Sequence, residues 1–171
     1  GKGTLLQMDS AYNVIGKREY ASGKIFNTYI NPEPRLGVTY LIDAENSLKA
    51  SYTHAVQYVQ LASNSQTGNP LDVWFPASPN VKPQKADQWA MGYFRNFKNN
   101  TIETSLEVYY KNLTNLIDFK DFASILLNDE MEAEIRTGKG YAYGAELYFR
   151  FNFNKLDGWL SYTYNRTYRT I

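Results

Sequence analysis

Glu103 and Glu107 stand four residues apart in an alternating run, with Lys111 following in the same phase and Lys49 and Glu146 at matching positions of neighbouring runs. Carboxylates sharing a face could work as general acid and base. No nucleophile or metal-ligand set accompanies them, and charge pairs across the strands of a solvated wall use the same residue types. The single histidine, His54, sits midway along another alternating run. One imidazole cannot build a multi-His metal site. It could respond to pH, but a place in a strand wall suits it equally. The chain has no cysteine, which excludes disulfides, thiolate metal sites and cysteine nucleophiles. No catalytic residue, metal ligand or cofactor is therefore expected, and the chain does not read as an enzyme.

Two irregular stretches hold the residues with binding chemistry. Asp72, Val73, Trp74 and Phe75 lie in the first. Of these, Asp72, Trp74 and Phe75 are the ligand-binding candidates, since aromatic rings beside a carboxylate suit stacking on a sugar or a siderophore. The same rings could instead pin the loop to its surroundings. In the second, an apolar run from Phe119 to Leu127 precedes the acidic run Asp129, Glu130, Glu132 and Glu134. This predicts a short helix, and an acidic surface that either attracts a cation or is simply solvated.

The elements that position these residues follow from hydrophobic periodicity. Leu36, Val38, Tyr40 and Ile42 alternate with Gly37, Thr39 and Leu41. After a polar turn at 43–47, Leu48, Ala50 and Tyr52 alternate with Lys49, Ser51 and Thr53. That is a hairpin with a short connection. A second hairpin joins a strand at 86–97 to one beginning at Ile102 through the turn 98–101. A third joins 141–153 to 158–168 through 154–157. The strands are separated by irregular stretches at about 60–85, which is rich in proline, and about 112–140. Short strands near Leu5–Met8 and Lys24–Ile30 are expected ahead of these.

Strands of ~10–13 residues exceed the ~5–6 typical of soluble sheets, and ~10 tilted residues cross a bilayer core. Long connections that take turns with short ones are rare in compact domains and routine in outer-membrane barrels. The expected fold is all-β: an antiparallel, up-and-down meander forming part of a transmembrane β-barrel. Short turns would lie at the periplasm and the stretches 60–85 and 112–140 outside the cell. Tyr58, Tyr110, Tyr141 and Tyr143 would then sit at outer strand ends and Phe97, Phe151 and Phe153 at inner ends. Arg95 shares the apolar phase of Trp89, Met91 and Tyr93. It must either snorkel to the membrane edge or mark a β-bulge that changes phase.

Composition agrees. The chain has 15 Tyr, 9 Phe and 3 Trp, a tyrosine excess that suits a surface apolar on one side and wet on the other. Its 18 basic residues nearly balance 17 acidic ones, against the basic excess that nucleic-acid binding needs. No run approaches the ~18 apolar residues of a membrane helix. The chain shows no signal peptide and reads as a fragment, with residues 1–171 belonging to a barrel domain.

The runs Pro34-Arg35-Leu36-Gly37-Val38-Thr39-Tyr40, Leu48-Lys49-Ala50-Ser51-Tyr52 and Glu107-Val108-Tyr109-Tyr110-Lys111 resemble barrel strands of TonB-dependent receptors. So does Lys82-Pro83-Gln84-Lys85-Ala86-Asp87-Gln88 leading into Gly92-Tyr93. The run Gly140-Tyr141-Ala142-Tyr143-Gly144-Ala145-Glu146-Leu147, leading to Gly158-Trp159-Leu160-Ser161-Tyr162-Thr163-Tyr164, is similar again. The resemblance covers roughly residues 34–170 and is nearest in phrasing to Bacteroidetes-type receptors. It implies a bacterial outer-membrane location, a barrel of about 22 strands around a plug domain, and uptake of a scarce nutrient (an iron chelate, vitamin, glycan or peptide). The implied partners are outer-membrane lipid, the remaining strands and plug, and the TonB complex acting through the plug. A surface lipoprotein is left open. Neither a plug nor a TonB box is found in this chain. The alternative is a passive porin or structural outer-membrane barrel. An outer-membrane enzyme would need a catalytic Ser/His or Asp/His set, and a soluble carbohydrate-binding sandwich would need short strands and a sealed inner face.

Overall fold

A computed structural model describes residues 3–10, 13–21, 27–62, 73–97, 99–120 and 130–171. Its centre is a six-stranded antiparallel sheet. In chain order the strands are β3 (Arg35–Leu41), β4 (Asn46–Gln57), β7 (Gln84–Phe97), β8 (Ile102–Phe119), β9 (Ile135–Phe153) and β10 (Leu156–Thr170). They lie in the order β10-β9-β8-β7-β4-β3, so every strand of this sheet neighbours the sheet strand before it. Two small hairpins stand apart from it: β1 (Gly3–Met8) with β2 (Val14–Tyr20), and β5 (Val59–Ala62) with β6 (Val73–Pro76).

Each hairpin connection at the short-turn end is closed by local chemistry. Asp43 Oδ1 accepts the backbone N–H groups of Glu45 at 2.8 Å and Asn46 at 2.9 Å, and both carboxylate oxygens accept Asn46 Nδ2. Asn99 and Asn100 have φ of 53° and 65°, and Asn154 has φ of 28°. Asparagine tolerates this left-handed backbone better than other non-glycine residues.

Because side chains alternate across a strand, the unbroken registers of β3–β4, β4–β7, β7–β8 and β9–β10 fix two faces. One is apolar in continuous rows. Val38, Ala50, Met91, Val108, Ala145 and Tyr164 form one row, and Tyr40, Leu48, Tyr93, Leu106, Leu147 and Tyr162 the next toward the short turns. Among the described residues nothing covers them: Val38 is 68% exposed, Met91 59% and Leu147 51%. The opposite face carries Lys49, Glu107, Glu146 and Thr163 in register, flanked by serines, tyrosines and asparagines. Five inter-strand spacings and the stretch from Trp89 to Phe97 give the apolar face an area of roughly 600 Å². Soluble monomers rarely expose contiguous patches beyond a few hundred Å².

The structure corrects the sequence reading at several points. The stretch 112–140 is not one long connection, because β8 continues to Phe119 and β9 begins at Ile135. A bulge hides this. Thr114 pairs with Lys139 and Leu116 with Gly138, leaving Asn115 unpaired at a φ of 58°. The alternation therefore changes phase, which in sequence looks like the strand's end. The stretch 60–85 holds nearly all of the β5–β6 hairpin and two of the four residues of the buried cluster described below, Phe75 and Val81. Of the expected strand Lys24–Ile30, residues 24–26 lie outside the described residues and 27–30 carry no strand; β2 was not anticipated. The short helix expected within 119–134 falls in part on 121–129, outside the described residues, and the regular element found in the remainder is a 3₁₀ turn, Met131–Glu134. Arg95 needs no bulge, since β7 keeps register with both neighbours. Its guanidinium lies 4.4 Å from the centre of the Phe97 ring, one row nearer the short-turn end, as snorkelling requires.

Candidate functional site

The charged residues of the strand faces, read from sequence as a solvated wall, and the described ligand candidates of the long connections each take a definite place in the structure. On the polar face, Glu107 and Glu146 are direct cross-strand partners, and Glu103 faces Arg150. Glu146 accepts a hydrogen bond from Ser161 Oγ at 3.4 Å. The Lys49 ammonium sits 4.6 Å from the Phe94 ring centre and Arg150 lies 3.7 Å from Asp157. An open concavity of about 390 Å³ is lined by Phe94, Asn96, Glu103, Ser105, Glu107, Glu146 and Tyr148. It is a charged, wet wall.

Gly144 makes part of this wall possible. The Tyr109 ring leans over it, and a Cβ at Gly144 would come within 2.7 Å of both that ring and the Tyr164 carbonyl oxygen. Close approach of a neighbouring side chain is one reason strands keep glycine.

His54 is on the other face. Its Nδ1 lies 2.6 Å from Asp87 Oδ1, which also accepts the Tyr52 hydroxyl at 2.8 Å. Ser51 and Thr53 project to the polar side, so the only hydroxyl its own strand brings to the carboxylate–histidine pair is the Tyr52 phenol. The Glu103/Glu107/Glu146 group and His54 are separated by the sheet. Among the described residues no three His, Cys, Asp or Glu side chains are placed to hold a metal ion.

A chain of rings borders the apolar face on the side away from the short turns. Tyr52 and Trp89 are 5.4 Å apart, Trp89 and Tyr110 6.1 Å, Tyr110 and Tyr141 6.4 Å, and Tyr141 and Tyr168 4.9 Å. At the other border Phe149, Phe151 and Phe153 follow one another at 6.1 and 6.0 Å. From Tyr141 to Phe153 the strand climbs ~40 Å, or ~30 Å of height at a tilt near 40°. Two aromatic borders about an apolar band of that height match a bilayer's hydrocarbon layer and its interfaces.

The long-connection end contains the one buried hydrophobic cluster found among the described residues: Phe75, Val81, Phe119 and Ile135, with Ile117 against it. Phe75 and Phe119 meet edge to face at 6.1 Å. Polar ties join the surrounding segments. Ser78 Oγ and Asn80 Nδ2 donate to the two oxygens of Glu132 at 2.9 Å each, and Asn80 Nδ2 also donates to the Leu6 carbonyl at 2.8 Å. The Tyr29 hydroxyl donates to the Ser78 carbonyl at 2.7 Å, and Lys17 pairs with Glu130 at 2.7 Å.

These contacts sort the loop candidates. Phe75 is 5% exposed and anchors the hairpin, because its phase on β6 faces the cluster together with Gln60 opposite it. Trp74 points the other way and is 62% exposed, beside Leu61 and Val59. Asp72 lies outside the described residues. Glu132, part of the acidic run, is taken up in binding Ser78 and Asn80. That lock was missed in sequence, since only contacts between distant segments define it. The Ser78-Pro79-Asn80 run, rich in side chains that bond backbone, was the available signal.

The family described as TonB dependent receptor-like, beta-barrel, matches the chain over residues 16–170. No curated protein gives a match.

Proposed function

Because the chain belongs to the TonB-dependent receptor-like β-barrel family, a family of outer-membrane receptors and transporters, we propose that it forms six consecutive wall strands of an active nutrient receptor. The observation that carries this reading is the division of one sheet into a bare apolar face with aromatic borders and a charged face with open concavities. In a barrel wall the first meets lipid and the second the lumen. The short turns then lie at the periplasm. The β5–β6 hairpin and the Phe75 cluster lie outside the cell. The two unpaired edges, β3 and β10, join the remaining strands of the barrel, and a plug fills the lumen against the polar face.

In this reading the ligand, a scarce nutrient such as an iron chelate, vitamin, glycan or peptide, is first met by the extracellular loops. Trp74 offers a flat ring for stacking, with Asp72 two residues before it in sequence, while Phe75 holds the hairpin in place. Release inward depends on a TonB-driven change in the plug, for which this wall is the rigid frame. The phrasing of the strands favours a Bacteroidetes-type receptor.

The test uses the full-length receptor in cells. Uptake is expected to stop when the proton-motive force is collapsed. Trp74→Ala is expected to weaken ligand binding at unchanged levels of assembled receptor. Passage that continues without energy would identify a passive pore and overturn the reading.

A further inference from the structure

The apolar face does not end at its aromatic border. One row farther from the short turns, the register places His54, Asp87, Asn112, Tyr141 and Tyr168 side by side, and one row beyond that Val56, Lys85, Thr114, Lys139 and Thr170. These positions keep the phase of Trp89, Tyr110 and Tyr143, so their side chains leave the sheet on the apolar side. Two lysines thus stand on the face that meets lipid, at a level just outside the hydrocarbon band. They are separated by one strand, or ~10 Å.

We infer that this level is a binding site for the phosphorylated headgroup of an outer-leaflet glycolipid. The inference rests on the reading of the sheet as a membrane wall. Lys85 and Lys139 supply the cations, Asn112 and Thr114 the hydrogen-bonding groups between them, and the stacked rings of Tyr141 and Tyr168, 4.9 Å apart, a platform for a sugar. Charge complementarity selects the occupant. Among the described residues, the carboxylates on this part of the face are Asp87 and Glu33. Asp87 is engaged by Tyr52 and His54, and Glu33 accepts the Val56 N–H at 3.2 Å. Arg166, in the girdle row, lies 3.4 Å from the Tyr168 hydroxyl. Among the described residues, Lys85 and Lys139 are the cations of this row; Lys85 also stands in the field of Asp87, and Lys139 is exposed. A lysine on the water-filled side would be solvated. One on the lipid side, above the rings, has its stem along apolar surface and its ammonium among headgroups, where phosphate is its natural partner.

The experiment uses the full-length receptor purified in a neutral detergent, titrated with bis-phosphorylated lipid A, with its dephosphorylated form, and with inorganic phosphate. Native mass spectrometry reads the bound fraction. The wild type is expected to bind the bis-phosphorylated lipid and to discriminate against the dephosphorylated one. The Lys85→Gln/Lys139→Gln pair is expected to lose roughly twentyfold in affinity for the phosphorylated form only. Lys111→Gln, a lysine on the polar face, is expected to change nothing. Equal binding of both lipids, or an unaffected double variant that still runs as an assembled barrel, overturns the site while leaving the wall reading intact. Inorganic phosphate binding as tightly as the lipid overturns the headgroup as its source. A full-length protein that never assembles as a barrel overturns both.

Discussion

Val108 and Glu107 are adjacent in sequence and opposite in environment, which makes them a sharp test of the two-faced wall. Val108 lies between Met91 and Ala145 in the apolar row. Replacing it with arginine puts a guanidinium inside the apolar band, one row in from the Tyr110 border, where snorkelling recovers part of the penalty. A lipid-facing cation costs about 2–4 kcal/mol at the midplane and about 0–1 near an interface, so about 1–3 kcal/mol at this depth, or roughly 5- to 150-fold in the folded-to-unfolded ratio. Glu107→Arg places the same side chain one residue away on the polar face, directly opposite Glu146. There it exchanges a like-charge pair for an opposite-charge one, a gain of about 0.2–1 kcal/mol. Urea titration of the full-length receptor folded into lipid vesicles measures both. Val108→Arg is expected to lower the midpoint strongly and Glu107→Arg to leave it unchanged or raise it slightly. Equal shifts, or the larger loss at Glu107, would refute the assignment of faces.

At the loop end, Phe75→Ala removes a ring from the only buried cluster described there and is expected to cost about 3–5 kcal/mol locally, read as faster proteolysis within 73–83. Trp74→Ala, exposed next to it, is expected to leave proteolysis unchanged. In the first short turn the Asn46 side chain, then the Glu45 N–H, hold the Asp43 carboxyl below its ordinary 3.8. A depressed folded value means that the turn's contribution is complete above the ordinary value and is lost as pH falls through the folded one. Acid titration of hairpin stability should therefore flatten at its low end in Asp43→Ala. Asn115 occupies the left-handed backbone of the β8 bulge. Asn115→Gly is expected to be tolerated, and Asn115→Val to destabilise by about 1–3 kcal/mol, measured by the same urea titration.

The membrane-height part of the sheet was legible because period-two alternation survives wherever one face must be apolar. Leu106, Val108 and Tyr110, set against Glu107 and Tyr109, needed no partner to be read. Legibility failed where that pressure stops. Beyond Thr114 the strand pair leaves the apolar band, the bulge at Asn115 shifts the phase, and Arg136-Thr137-Gly138-Lys139-Gly140 reads as loop although its backbone is paired. The loop candidates show the same limit. Trp74 and Phe75 are indistinguishable by type, and only the pairing of Phe75 with Gln60 over Phe119 and Ile135 decides which ring is buried. The ties among Leu6, Ser78, Asn80 and Glu132 link segments far apart in sequence and have no local pattern to announce them.

The segment contains no cysteine, so a spin label can be placed at single positions along β8 in the full-length receptor, reconstituted in lipid, once any cysteine elsewhere in it is removed. Quenching by membrane-dissolved oxygen and by a water-soluble paramagnetic complex, residue by residue from Thr104 to Tyr110, tests the wall most directly. Labels at 104, 106, 108 and 110 are expected to respond to oxygen and those at 105, 107 and 109 to the water-soluble reagent, in strict alternation. A uniform response to the water-soluble reagent at every position, or the opposite phase, would contradict the account.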